Sequence, residues 1–266
     1  MSPAQRSSRA VVAALALGFL ATSPLIGGAP PAPPPVTFNL TGVGSGANLA
    51  GVYTSPYSGN INGGATIPVI CDDFADESFV PETWTAYQTS MSSLISGMSG
   101  TPDTYLKWLN TPGSTITVDS QTLNQAQAYA VAAVLAVDIV TATTGSQAQK
   151  DYSYALWGLF DPTDSFNQLS GLPDQANAEN DLKSAVTFWA SSANATQVAA
   201  DVAATTIYSY DPVALPTGCG GTCPPPPQEF LWVNMDEPRS PVLLGIDFLG
   251  LAGLVLFARR RGWLAR

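Results

Sequence analysis

Val242 to Ala258 is a run of seventeen residues carrying a single charge, Asp247, and Arg259-Arg260-Arg261 follow it directly. As a helix rising about 1.5 Å per residue, such a run reaches about 25 Å, a little short of the ~30 Å hydrocarbon layer of a bilayer. A carboxylate at mid-depth costs on the order of 2.5–3.5 kcal/mol on insertion scales, so the span is marginal and suits a temporary anchor. The arginines are expected to stay on the cytoplasmic side and to leave everything before Pro238 outside.

The opposite end agrees. Arg6 and Arg9 precede an apolar stretch from Ala10 to Ala21, and small residues follow at Ala21, Ser23, Gly27 and Ala29. This pattern predicts a secretory signal peptide over residues 1–29, with the mature chain beginning between Pro24 and Val36. Residues 30–35 form a proline-rich leader, expected to be extended. About 200 residues remain, enough for one domain with a proper core or two small ones.

Taken as a unit, Asp236-Glu237-Pro238, the apolar run 242–258 and the arginine cluster resemble the C-terminal sorting signal of PEP-CTERM proteins. That signal is processed by exosortase-type transpeptidases in Gram-negative bacteria. The resemblance covers residues 236–266 and implies Glu237, Pro238, Arg259, Arg260 and Arg261 as sorting residues. It implies the inner membrane and an exosortase-type enzyme as partners, followed by delivery to the cell surface or matrix, where extracellular polysaccharide is a candidate partner. Asp236 stands where proline is usual, and Asp247 is atypical. An ordinary single-span tail anchor is the alternative.

Between Pro30 and Met235 the basic side chains are Lys107, Lys150 and Lys183, against seventeen carboxylates, a net charge of −14. Such a surface repels phosphate backbones and anionic lipid, which excludes nucleic acid as a partner. Cations, basic partners or simple solubility remain. The chain contains no histidine. That removes the usual general base near neutral pH, the histidine-containing hydrolase triads and histidine-ligated zinc. A secreted hydrolase using paired carboxylates stays open, although no spacing singles out a pair.

Alternation predicts strands over Val36–Gly42, Leu49–Tyr53, Thr66–Phe74 and Thr83–Thr89, with a turn-rich Ser55–Gly64 between them. The period then changes. Pro102–Asn110, opened by Thr101, reads as a short helix. Thr122–Thr141 reads as a central buried helix, Gln149–Phe160 as a third and Asp174–Ala193 as a fourth. Thr205–Tyr210 and Gln228–Val233 return to strand. The expectation is an α+β ectodomain over residues 36–233: a β-rich N-terminal part and C-terminal strands closing a sheet around a helical middle. A stiff cysteine- and proline-rich linker is expected at 217–227, where Cys219 and Cys223 lie close enough for a small-loop disulfide. The alternative pairs one of them with Cys71.

Two short motifs stand out: Cys71-Asp72-Asp73-Phe74 at a strand end, and Ser153-Tyr154-Ala155-Leu156-Trp157 on a helix. Together they resemble the thioester domains of bacterial surface adhesins, loosely over Val36–Val233. There a strand cysteine is joined to a glutamine heading a Gln-x-Ala-apolar-Trp motif. Cys71, Ala155, Leu156 and Trp157 match, but Ser153 stands at the glutamine position. Serine has no acyl carbon for a thiolate to attack, so the resemblance implies a thioester-like scaffold without its reactive bond. Gln149, one turn earlier, and Gln147 are the alternative acyl donors for a covalent adhesin. Trp157 and Phe160 are otherwise expected to be core aromatics.

Asp72, Asp73, Asp76 and Glu77 are the densest acids and weak candidates for calcium. Their spacing does not fit an EF-hand loop, and a solvated strand end with no metal or cofactor is expected. Asn39-Leu40-Thr41 and Asn194-Ala195-Thr196 match the glycosylation sequon by chance. The sum predicts an exported, non-enzymatic surface or matrix protein.

Overall fold

Strand alternation sorts the side chains of this protein into two cores. The computed structural model describes residues 32–97, 102–211 and 226–235. The signal segment, Cys219, Cys223, the apolar run and the sorting residues Glu237, Pro238, Arg259, Arg260 and Arg261 lie outside those residues. The first third supplies β1 (Pro35–Gly42), β2 (Asn48–Leu49), β3 (Val52–Tyr53), β4 (Tyr57–Ile61), β5 (Ile67–Cys71) and β6 (Glu82–Ser90). The middle supplies α1 (Met91–Gly97), β7 (Ile116–Val118), β8 (Gln121–Leu123), α2 (Gln125–Thr141), α3 (Gln147–Phe160), α4 (Pro162–Gln168), α5 (Pro173–Ala190) and α6 (Ala195–Ala204). The strands β9 (Thr205–Tyr210) and β10 (Phe230–Val233) come last.

Six strands close into a barrel in the order β1-β4-β5-β10-β9-β6, with β6 pairing back onto β1 and every neighbour antiparallel. The last two strands fill the gap between β5 and β6, so the closure by C-terminal strands expected from the sequence is present. Closure also leaves the barrel itself without a free edge. Val69, Cys71, Tyr208 and Phe230 join Phe38, Leu40 and Trp84 in one buried cluster. Their neighbours Ile70, Ile207 and Leu231 point the other way, into a second cluster built on α2. Both faces of these strands are therefore covered.

The first cluster is aromatic. The Phe38 ring centroid lies 4.7 Å from Trp84, 5.3 Å from Phe230 and 5.4 Å from Tyr208, each contact contributing about 0.5–1.5 kcal/mol beyond area burial. Gly59 on β4 lies too close to β1 and β5 to carry a side chain without a shift. A Cβ there would come within 3.1 Å of the Asn39 carbonyl oxygen and 3.3 Å of Val69 Cγ2. In the second cluster, α2 is buried on nearly every side, from Ala128 to Val137 without interruption. Its start is fixed by a reciprocal cap: Asn124 accepts from the Gln127 amide and Gln127 accepts from the Asn124 amide. Among the described residues no helix is long and apolar enough to cross a membrane.

The structure corrects several sequence expectations. Residues 102–110 form turns and not a helix. Gln125 takes over their backbone groups, accepting from Asp103 N at 2.7 Å and donating to the Asp103 and Trp108 carbonyls at 2.9 Å each. Leu109 adopts a φ of 53°, which no helix tolerates. The stretch Ser55–Gly64, expected as turn, contains β4, and its true turn is Asn62-Gly63 with φ of 52° and 69°, the left-handed pair a tight hairpin requires. Leu49–Tyr53 is the small β2–β3 hairpin, reversed at Ala50 and Gly51. The third strand stops at Cys71, before the acids.

Candidate functional site

Cys71 ends β5 opposite Phe230 of β10, and this register sets Asp72 beside Glu229 across the seam. The Asp72 amide donates to the Glu229 carbonyl at 3.4 Å. Asp72 and Asp73 have no exposure and Glu229 has 1%. The expectation of a solvated strand end is thus overturned for Asp72 and Asp73. Asp76 is half-buried and Glu77 stays at the surface.

Each buried carboxylate has a different set of partners. Glu229 accepts from the Tyr129 hydroxyl on α2, from the Ser209 hydroxyl on β9 and from the Lys107 amide at 3.1 Å. The Lys107 ammonium contacts Asp73, reaches Asp76 at 2.7 Å and lies 4.7 Å from the Trp108 ring centre. Asp73 also accepts from the amides of Ala75 at 3.0 Å and Asp76 at 3.2 Å, so it turns the chain out of the strand. Gln228 clamps the same turn, donating to the carbonyls of Asp73 at 2.8 Å and Asp76 at 2.7 Å.

Asp72 is the exception: neither of its carboxylate oxygens meets a donor. Burial pushes its pKa well above the usual carboxylate range, and the neighbouring Glu229 and Asp73 push the same way. Burial also raises Glu229, but the hydroxyls of Ser209 and Tyr129 oppose that shift. The proton therefore belongs on Asp72, directed at Glu229, which leaves the fewest uncompensated charges in the interior. For Lys107, burial works against the charge, yet Asp73 and Asp76 outweigh it and raise the pKa. The ammonium thus occupies the place that a metal cation between these acids would take. Among the described residues no three acid or cysteine side chains converge as a metal site.

The helix motif meets the strand motif through Trp157. Its indole Nε1 donates to the Cys71 carbonyl at 2.9 Å, and its ring packs 5.2 Å from Phe74 and 4.8 Å from Tyr154. Ser153, one turn earlier and fully buried, turns its hydroxyl back to the Gln149 carbonyl at 3.0 Å. The two glutamines are committed elsewhere. Gln149 accepts from Gly145 N and donates to the Ile139 carbonyl, each at 2.8 Å, tying the end of α2 to the start of α3. Gln147 binds the carboxylates of Asp151 and Asp174.

Cys71 itself is a free, fully buried thiol. Its Sγ donates to the Asp73 carbonyl at 3.0 Å and accepts from the Asp73 amide at 3.4 Å. Burial pushes its pKa well above the ordinary thiol range, and the Asp73 and Asp72 carboxylates add to the shift. A protonated, sealed thiol is a poor nucleophile. Glu229, Tyr129, Ser209 and Lys107 escaped the sequence reading. The rarity of Lys107 in an acidic region, and an acid abutting the apolar Phe230-Leu231-Trp232-Val233, were the available signals. Compared with known protein families, curated proteins and solved structures, the chain matches none.

Proposed function

We propose that this chain is an exported, membrane-sorted, non-enzymatic surface or extracellular-matrix protein with a structural or adhesive role. The observation that carries the non-enzymatic reading is the sealed junction of Cys71, Ser153 and Trp157. Ser153 offers no acyl group, and its hydroxyl is spent on its own helix. Cys71 is held as a protonated, buried thiol against Asp73. The junction thus supports a thioester-like scaffold used to fasten a barrel to helices, without a reactive bond. The sorting residues Glu237, Pro238, Arg259, Arg260 and Arg261, together with residues 1–29, support passage through the inner membrane under an exosortase-type enzyme. A formal charge of −14 over residues 30–235, most of it on acids outside the interior, disfavours anionic partners.

The test is cell fractionation of a chain carrying an internal tag in residues 32–235, with mass spectrometry of both ends of the recovered protein. Loss of residues 1–29 and of the arginine cluster, with the tag outside the inner membrane, is the expected result. A full-length product in the cytoplasm contradicts the proposal.

A further inference from the structure

We propose that the seam between β5 and β10 is a pH-sensitive latch in the barrel wall. It stays closed while Asp72 and Glu229 hold one proton between them. It parts when both carboxyls are charged, with the rest of the barrel intact. The latch goes beyond the surface-protein reading and does not depend on where the protein resides.

The barrel is joined most weakly along this line. β10 meets β5 in two residue pairs, Phe230 with Cys71 and Leu231 with Ile70. Every other pair of neighbouring strands is matched over three or more. On its far side β10 is matched to β9 over four, from Phe230 with Tyr208 to Val233 with Thr205. β10 therefore holds β9 better than it holds β5. Beyond the ladder, the seam is crossed by the Asp72 amide, 3.4 Å from the Glu229 carbonyl, a distance longer than most N–H···O bonds. Gln228 crosses it too, gripping the carbonyls of Asp73 and Asp76.

The charges are placed to act on that line. Asp72 continues β5 and Glu229 precedes β10, and neither has more than 1% exposure. Glu229 takes its donors from Tyr129 on α2, Ser209 on β9 and the Lys107 amide, and none of them from β5. The oxygens of Asp72 receive no donor, so its charged form has neither water nor a partner. The other ionisable groups facing Asp72 do not relieve it. Burial keeps the Cys71 thiol and the Tyr129 phenol neutral. Asp73 adds repulsion, and Lys107, the one cation among these groups, is engaged by Asp73 and Asp76.

A proton on Asp72 gives Glu229 one more donor across the seam. Its loss replaces that bond with two like charges in a dry setting. Burial first, then Glu229 and Asp73, raise the pKa of Asp72 in the closed seam. Closure is thus favoured while the proton is bound and is lost as pH rises through that raised value. Parting lets water reach Asp72 and leaves β5 and β10 each with an unpaired edge.

The test is hydrogen exchange with mass spectrometry on the full chain in nonionic detergent, from pH 6 to pH 9, with rates corrected for the intrinsic pH dependence of exchange. Protection of peptides covering residues 67–73 and 229–233 is expected to fall about ten-fold across this range, while β1 and β6 keep theirs. Asp72→Asn, which offers Glu229 a donor at every pH, should hold the seam protected throughout. Glu229→Gln, which offers one to Asp72, should do the same and serves as the second variant. The proposal is overturned if protection of β5 and β10 does not change with pH, if all six barrel strands lose protection together, or if both variants keep the parent's pH response. Export plays no part in this readout, so its failure leaves the surface-protein reading untouched.

Discussion

The barrel interior and the acid knot at its rim are equally buried, yet they hold by opposite means. Inside the barrel, Phe38, Trp84, Tyr208 and Phe230 gain from leaving water and from ring contact, with no charge among them. At the rim, Asp72, Asp73 and Glu229 gain nothing from burial: Asp73 persists because Lys107 reaches it, Glu229 because Tyr129 and Ser209 do, and Asp72 because it keeps its proton. Aromatic packing supplies stability and tolerates many arrangements. The knot supplies little net stability but accepts only the register in which Asp72 faces Glu229. Its value lies in specifying how β10 enters the barrel, a hypothesis that its pH response puts to the test.

The largest effect should come from the aromatic side. Phe38→Ala is expected to cost about 3–5 kcal/mol in urea denaturation, and by the same amount at pH 5 and pH 8. A pH-dependent loss there would erase the distinction between the two regions. Lys107→Met, which leaves Asp73 buried without its cation, should cost about 2–3 kcal/mol at pH 8, less than a fully buried pair because Lys107 is partly exposed. At pH 5, where Asp73 can take a proton, the cost should shrink.

Third comes the proton on Asp72. Its pKa is raised in the folded protein. Between the unfolded carboxylate range and that raised value, the folded state holds more protons than the unfolded one. Stability therefore falls as pH rises from about 5 to 8. Asp72→Asn removes this slope and should stabilise the protein by about 1 kcal/mol at pH 8 while changing little at pH 5. A urea midpoint that climbs with pH in the parent protein would show Asp72 ionised and the assignment mistaken. Smallest is Ser153→Ala, which deletes a bond within one helix and should cost about 0.5–1 kcal/mol. A loss of several kcal/mol would mean that Ser153 does more for Cys71 than its geometry provides.

Most of the barrel's strands, though not their closure into a barrel, were legible from periodicity. β1, β6 and β9 follow alternating patterns, and α2 announces itself by a long alanine-rich run. β4 was hidden because Gly59 and Asn60 read as turn residues, whereas the glycine is there because a Cβ would crowd the Asn39 carbonyl and Val69. The turns at 102–110 were missed because their backbone partners, Gln125 and Glu229, are distant in sequence. α1, α6 and the β7–β8 hairpin are short. The site was half legible. Cys71 and Trp157 do meet, as their motifs suggested. The burial of Asp72 and Asp73 was illegible because it depends on β10, which arrives more than a hundred and fifty residues later.

The central claim is that barrel and helices are fastened at Cys71 by packing and hydrogen bonds alone. Intact-mass spectrometry of the denatured chain, before and after methylamine treatment, tests it directly. The account predicts no deficit of one ammonia, no uptake of methylamine, and alkylation of Cys71 only after unfolding. A mass short by one ammonia that methylamine restores, with the Cys71 peptide linked to an α3 peptide, would contradict it.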